Sequence, residues 1–195
     1  YAKIANSYNS ATRDHLSPLG HGGPNGVYSL VTSRQMKEYN LSKSDYANLL
    51  ISQRNWASKN PYAVYKDTLT HEEYNAAPMV ADPLCRYDCV PVVAGAYSII
   101  LSAEDNKKLE KQVKVRSFFQ SFNYDNQEGD GTRTGIINFV DKLYDQAKLS
   151  PSDIDVYSIY DDYPAIVLAQ LNDLKVIKDS NMKEYLRNMN NEIIP

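Results

Sequence analysis

Chemistry in this chain is expected at one corner, where a short apolar strand ending at Tyr160 runs through Asp161, Asp162 and Tyr163 into Pro164 and a helix from about Ala165. A phenol is a hydrogen-bond donor at neutral pH, because its unperturbed pKa is about 10. Held at a strand end, Tyr160 can stabilise charge growing on a substrate oxygen. It can also act as acid or base if its pKa is shifted. A plainer reading stands beside this one: Tyr160 packs at the strand end, and Asp161 caps the helix. The chain has 16 tyrosines, so a tyrosine at any single position is weak evidence for function.

Other reactive side chains are sparse. The two cysteines stand in Leu84-Cys85-Arg86-Tyr87-Asp88-Cys89. One close pair is no disulfide framework, and the spacing lacks the second ligand pair of a zinc site, so no metal is expected. A nucleophilic cysteine needs a base and a lowered pKa. Nothing in the sequence aims His71, the nearest histidine, at either thiol. The expectation is two reduced thiols in or beside a strand, in a reducing, cytoplasmic setting. Gly20-His21-Gly22-Gly23-Pro24 lacks the ending of a phosphate loop and follows no strong strand. It reads as a structural turn, with a loop lining a ligand tunnel and His21 pointing inward as the alternative.

The elements that must position the corner follow from apolar spacing. The first 26 residues read as loop, broken by Pro18, Gly20, Gly22, Gly23, Pro24 and Gly26. A helix is expected over Val27 to Tyr39. A second is headed by Ser42-Lys43-Ser44-Asp45, a capping box with Asp in place of Glu, and is stopped by Asn60-Pro61. Thr70-His71-Glu72-Glu73 opens a short third helix, and irregular chain follows around Met79-Val80-Ala81. The character then changes. Val90 to Leu101 is an apolar run ending in a strand, apolar on both faces as in a covered central strand. A polar helix from Ser102 to about Lys111, an alternating strand over Val113 to Phe119, and a polar loop over Asn123 to Thr134 come next. An amphipathic helix over Ile136 to Ala147 then turns Ile137, Val140, Leu143 and Tyr144 inward. After the turn at Ser150 to Ile154, Val156 to Tyr160 is the strand of the corner, and Ile166, Val167, Leu168, Leu171 and Leu174 are the buried face of its helix. The tail after Lys178 reads as a weak, fraying helix. A helical, loop-rich first half followed by alternating strands and helices argues a layered α/β architecture.

The bulk numbers set the outer bounds. At 195 residues the chain can hold one sizeable core or two small ones. A formal charge of −3 argues against nucleic acid or an anionic membrane as partner. No apolar run approaches the length of a membrane span. The opening Tyr1-Ala2-Lys3-Ile4 has neither an initiator Met nor a signal-peptide core, and suggests a start inside a longer or processed chain.

Several segments together resemble the thiolase superfamily, in its sterol-carrier or lipid-transfer branch. Gln53 to Ala63 is similar to the family's R-x-x-A-x-x-N-P-x-A. Leu69 to Tyr74, followed by Ala81-Asp82-Pro83-Leu84, is similar to T-x-E-E and a P-L pair. Asp88-Cys89 through Gly95-Ala96 is similar to D-C then D-G-A, with Ala94 where the family has Asp. Val156 to Tyr163 stands where the family has a strand ending in H-D-x-F, H-E-x-F or N-E-A-F, and Asp155, Asp161 and the aromatic Tyr163 keep that pattern. The landmarks run in family order from residue 20 to residue 175.

The resemblance implies a layered α-β-α-β-α fold, incomplete here. Residues 1–85 would be the loop or cap region of the N-terminal half, 86–103 its last strand, and 104–195 the first part of the C-terminal half. The family's nucleophilic cysteine would lie upstream, and its Gly-rich catalytic segment beyond Pro195. The chain is therefore expected to be a fragment, or a subunit needing a partner. The implied reaction makes or breaks a carbon–carbon bond beside a coenzyme A thioester, which is substrate rather than bound cofactor. Tyr160 matches the position of the family's Asn or His. The form Tyr160-Asp161-Asp162-Tyr163-Pro164 resembles aldolase-like members that cleave steroid side chains without an acyl-cysteine and work with a small OB-fold partner. Tyr160 and Asp161 are then the expected catalytic residues, and Tyr163, His21 and Gly95 the expected substrate contacts. Acyl-CoA, a second copy of the chain and the OB-fold protein are the expected partners. The competing expectation is a non-catalytic thiolase-like module for lipid carriage or assembly.

Overall fold

The computed structural model describes residues 12–103, 113–122, 129 and 131–189. Among the described residues six α-helices carry the core: α1 (Pro24–Glu38), α2 (Lys43–Ala57), α3 (His71–Ala76), α4 (Val140–Ala147), α5 (Pro164–Asp173) and α6 (Met182–Arg187). A two-stranded antiparallel hairpin, β1 (Met79–Ala81) with β2 (Leu84–Cys85), follows α3.

The helix starts obey local chemistry. At α2, the Asp45 carboxylate accepts from the Ser42 backbone N–H and hydroxyl, both at 2.7 Å. At α3 the exchange is reciprocal: Glu73 N–H donates to Thr70 Oγ1 at 3.2 Å, and Thr70 N–H donates to Glu73 Oε2 at 2.8 Å. Helix α1 begins three residues before the expected Val27. Pro24 takes the first helical turn, where its missing N–H is not needed, and Gly26 is required by packing. A Cβ at Gly26 would stand 2.9 Å from the His21 backbone.

Helix α2 is buried on two sides. Tyr46 and Leu49 join Leu168 and Leu171 of α5 and Leu186 of α6 in one cluster. Ala47 and Leu50 join Leu69, Tyr74 and Cys85 in a second, against α3 and the hairpin. A fully buried leucine contributes about 2 kcal/mol by this means. Buried polar groups tie the clusters together. Gln35 of α1 donates from Nε2 to the Ala165 carbonyl at 2.9 Å and accepts from the Tyr46 hydroxyl at 2.7 Å, linking α1, α2 and α5. Asp88 accepts from the Tyr74 hydroxyl at 2.8 Å and from the Cys85 N–H at 2.7 Å. Asp173, at the end of α5, accepts from Arg133, the Thr134 N–H and the Thr134 hydroxyl, and so anchors the turn before α4.

Four expectations are corrected. Val90 to Leu101 forms no ladder and is not covered: Val92 is 96 % exposed and Ile100 94 %. Val113 to Phe119 and Val156 to Tyr160 are likewise unpaired. A helix closes its hydrogen bonds within its own segment, whereas a strand needs a neighbour, and among the described residues none is offered. Strand-like alternation survives in part. Tyr157 and Ile159 turn inward while Val156 and Tyr160 turn out, and Phe119 stacks on Phe139 at 5.9 Å beside an outward Phe118. Second, Met79 to Ala81, expected as irregular chain, is paired in the hairpin. Third, Ile137 is 39 % exposed, because residues 135–138 form a separate 3₁₀ turn before α4. Fourth, the tail does not fray at α6: Met182 and Leu186 are 1 % and 0 % exposed in the main core. Asn181 caps α6 by accepting from the Glu184 N–H. Most of the polar helix expected over Ser102 to Lys111, part of the loop over Asn123 to Thr134, and residues 1–11 and 190–195 lie outside the described residues.

Candidate functional site

The corner lies where α1, α2 and α5 converge. Tyr163 is the N-cap of α5, in an extended conformation, and Pro164 is at the first helical position. Pro restricts the residue before it to extended backbone, which sends the chain away from the helix axis through Asp162 to Tyr160. Tyr163 is only 3 % exposed. Its ring stacks on Tyr28 of α1 at 4.4 Å between centroids, and its hydroxyl donates to Asn25 Oδ1 at 2.5 Å. Burial first, then the Asp162 charge, pushes the Tyr163 phenol well above its ordinary value, and the same two causes raise Tyr28. Both phenols therefore stay protonated.

Tyr160 is different. Its side chain is 66 % exposed, and its main chain is held by Gln170 of α5. Asp161 does not cap α5. Its carboxylate accepts from Gln53 Nε2 of α2 at 2.9 Å. Burial of that carboxylate, followed by the nearby Asp162 charge, raises its pKa, and the Gln53 bond opposes the rise. The residue itself is exposed, so the carboxyl is accessible, and its raised pKa makes it a stronger base than an ordinary aspartate. The corner thus presents an exposed phenol and a base-shifted carboxyl above a floor of two protonated phenols, Tyr163 buried and Tyr28 half-buried.

Of the other expected residues, His21 lies on the loop leading into the same end of α1 that supplies Asn25, half-buried, with its N–H donating to the Leu16 carbonyl at 3.0 Å. Gly95 is not brought to the corner. It sits in the exposed 90–101 segment, where a Cβ would meet only Tyr97 within 4 Å. Cys85 and Cys89 are both free, as expected. Burial, then the Asp88 charge, raises both thiols, Cys89 to about 11, so neither is a ready nucleophile at neutral pH. No group of three or more potential metal ligands occurs among the described residues. No helix among them is long and apolar enough to cross a membrane.

Sequence reasoning missed Asn25, Tyr28 and Gln170. Asn25 was hidden in a Pro/Gly run that read as loop. Gln170 carried a signal, a lone polar side chain in the otherwise apolar Pro164-Ala165-Ile166-Val167-Leu168-Ala169 and Leu171 stretch. Its target ten residues back could not be read from spacing.

No family model matches the chain. It is 28 % identical over 151 residues to benzoylsuccinyl-CoA thiolase subunit BbsB of Thauera aromatica, covering 75 % of this chain and 38 % of that protein. It is 26 % identical over 194 residues to the steroid side-chain-cleaving aldolase of Thermomonospora curvata, covering 94 % of this chain and 50 % of that one. Its fold matches the solved Ltp2-ChsH2(DUF35) aldolase with a TM-score of 0.68 and 20 % identity, over 92 % of this chain and 50 % of the matched chain. The chain thus spans half or less of the length of these relatives. The chain is thus similar in sequence to thiolases and to a steroid side-chain aldolase, and in fold to half of an aldolase chain.

Proposed function

We propose that this chain contributes the strand-to-helix corner of a site that cleaves or forms a carbon–carbon bond beside a coenzyme A thioester, by retro-aldol chemistry in the cleaving direction. The observation that carries the proposal is the division of labour at the corner. Tyr160 is exposed and fixed through its backbone, Asp161 is shifted toward a useful base, and both cysteines are shifted away from nucleophilic use. In a β-hydroxyacyl-CoA, Asp161 takes the hydroxyl proton and the new C=O forms. The bond between the α and β carbons then breaks, and its electron pair passes into the thioester enolate. Tyr160 donates a hydrogen bond to the enolate oxygen. A proton returned to the α carbon completes a shorter acyl-CoA. Tyr163 supports the floor from beneath. His21 and Gly95 contact acyl-CoA in the complete assembly.

The assembly proposed follows from the unpaired segments. Residues 86–103, 113–119 and 156–160 are strands of a layered thiolase-like sheet completed by strands from outside the described residues, with residues 1–85 as the loop or cap region. The activity belongs to that complete assembly, as a homo-oligomer and together with a small OB-fold protein. The free thiols favour a reducing, cytoplasmic setting.

Incubation of the full-length protein, with and without an OB-fold protein encoded beside it, with β-hydroxyacyl-CoA and with acetoacetyl-CoA plus free CoA tests the proposal. Release of acetyl-CoA or propionyl-CoA is expected. Tyr160→Phe, which keeps the ring and removes the donor, is expected to lower kcat about 100-fold. Absence of release from both thioesters sinks the enzymatic reading and leaves the carrier module. An unchanged rate in the Phe variant refutes the role of Tyr160.

A further inference from the structure

We infer that Gln170 is a positioning residue for Tyr160, its side-chain amide standing in for the strand neighbour that residue 160 lacks among the described residues. The catalytic consequence rests on the role proposed above for Tyr160; the geometry does not. Gln170 Nε2 donates to the Tyr160 carbonyl at 2.7 Å, and Gln170 Oε1 accepts from the Tyr160 N–H at 3.2 Å. The second Nε2 proton goes to the Ile166 carbonyl, one turn back on α5, at 3.0 Å. A primary amide facing a peptide in this way reproduces the pair of bonds that opposed residues exchange in an antiparallel ladder. Both amide protons and the oxygen are used.

The grip matters because of what stands on each side of it. Behind Gln170, α5 is immobilised by Ala165 and Leu168, each 0 % exposed. Ahead of it, the Tyr160 phenol is the exposed donor of the corner. Strand pairing fixes none of the described residues from 156 to 160. Gln170 therefore transmits the rigidity of the core helix to the main chain that aims the phenol. A polar residue merely solvating a helix would not close bonds to both the N–H and the C=O of one distant residue.

The test uses the full-length protein with Gln170→Leu and Gln170→Glu. In Gln170→Leu, kcat on β-hydroxyacyl-CoA is expected to fall about tenfold with KM within about twofold, since misplacement of a reacting group acts on the transition state. Glutamate gives a sharper signature. Its protonated form offers Tyr160 one donor and one acceptor, as the amide does, whereas its carboxylate has no donor. The activity of Gln170→Glu relative to wild type should rise as the pH falls from about 8 to about 5, while the ratio for Gln170→Leu stays flat. Retained kcat in the leucine variant, or identical pH profiles for the two variants, overturns the inference. If the wild-type protein turns over neither thioester, the proposed function fails separately, and hydrogen exchange decides this one. The Tyr160 amide should exchange at least about tenfold faster in Gln170→Leu with the Leu168 amide unchanged, and equal Tyr160 exchange overturns it. Should the leucine variant not fold, the exchange of the Tyr160 amide in Gln170→Glu at high and low pH gives the same two outcomes.

Discussion

Two regions of this chain share an apolar character and differ in everything else. Around α2, α5 and α6, apolar side chains are buried, helix ends are capped, and buried polar groups such as Gln35 and Asp88 are paired. Across residues 90–101 and 113–118, apolar side chains face outward, with Tyr97 and Val113 fully exposed. The difference is one of reach. Helix hydrogen bonds close within four residues, so a helix needs only one apolar stripe to dock. A strand satisfies its backbone through another strand, and an apolar strand must also be covered on its faces. The corner lies on the seam between the regions, with Tyr163 in the packed part and Tyr160 at the end of an unpaired segment.

The contrast can be broken by mutation. Leu168→Ala, in the centre of the main cluster, should cost about 3 kcal/mol in denaturant unfolding of the 195-residue chain, whereas Val92→Ala should lie within about 0.5 kcal/mol of wild type. Equal losses at the two sites would show that the 90–101 segment is packed after all. Next in size is Tyr74→Phe, which leaves the buried Asp88 carboxylate without one of its donors and should cost about 1–2 kcal/mol. A smaller, pH-dependent effect is expected at Asp45. Burial pushes its carboxyl up, but the Ser42 hydrogen bonds and the Lys183 and Arg187 charges outweigh burial and hold it below its ordinary value. A depressed carboxyl stabilises the fold above its unfolded pKa of about 4, and loses that contribution as the pH falls through the lower folded value. Asp45→Asn should therefore cost about 1 kcal/mol at pH 7 and progressively less in acid, read by urea unfolding at both pH values. A gap that persists at pH 2 would contradict the assignment. Smallest is Thr70→Ala at the exposed cap of α3, at about 1 kcal/mol or less, which the thermal midpoint should register without any change in the exchange of the 90–101 amides.

Much of the packed region was legible because its signals are local. The capping residues Ser42 with Asp45 and Thr70 with Glu73 marked two helices, and both are present. The apolar spacing after Pro164 marked α5 and its buried Leu168 and Leu171. Legibility failed where burial depends on a distant neighbour. The polar composition of the tail predicts fraying, yet Met182 and Leu186 reach α2 and α5. The apolar run 90–101 predicts a covered central strand, and nothing in its own composition says whether a neighbour exists. At the site, Tyr160 and Asp161 stood out by type and place. Tyr28, Asn25 and Gln53 did not, because their contacts span 108 to 138 residues of sequence.

The order of residues was enough to determine the capped starts of α2 and α3, the corner at Pro164 and the resemblance to thiolases, since each is set by neighbours within a few positions or by motif order. Only the tertiary structure decided that one tyrosine of the corner is a buried support and the other an exposed donor, that Asp161 answers to Gln53 rather than to the helix, and that Gln170 holds residue 160. Those roles depend on which surfaces α1, α2 and α5 bring within hydrogen-bond distance, a property of packing and not of spacing.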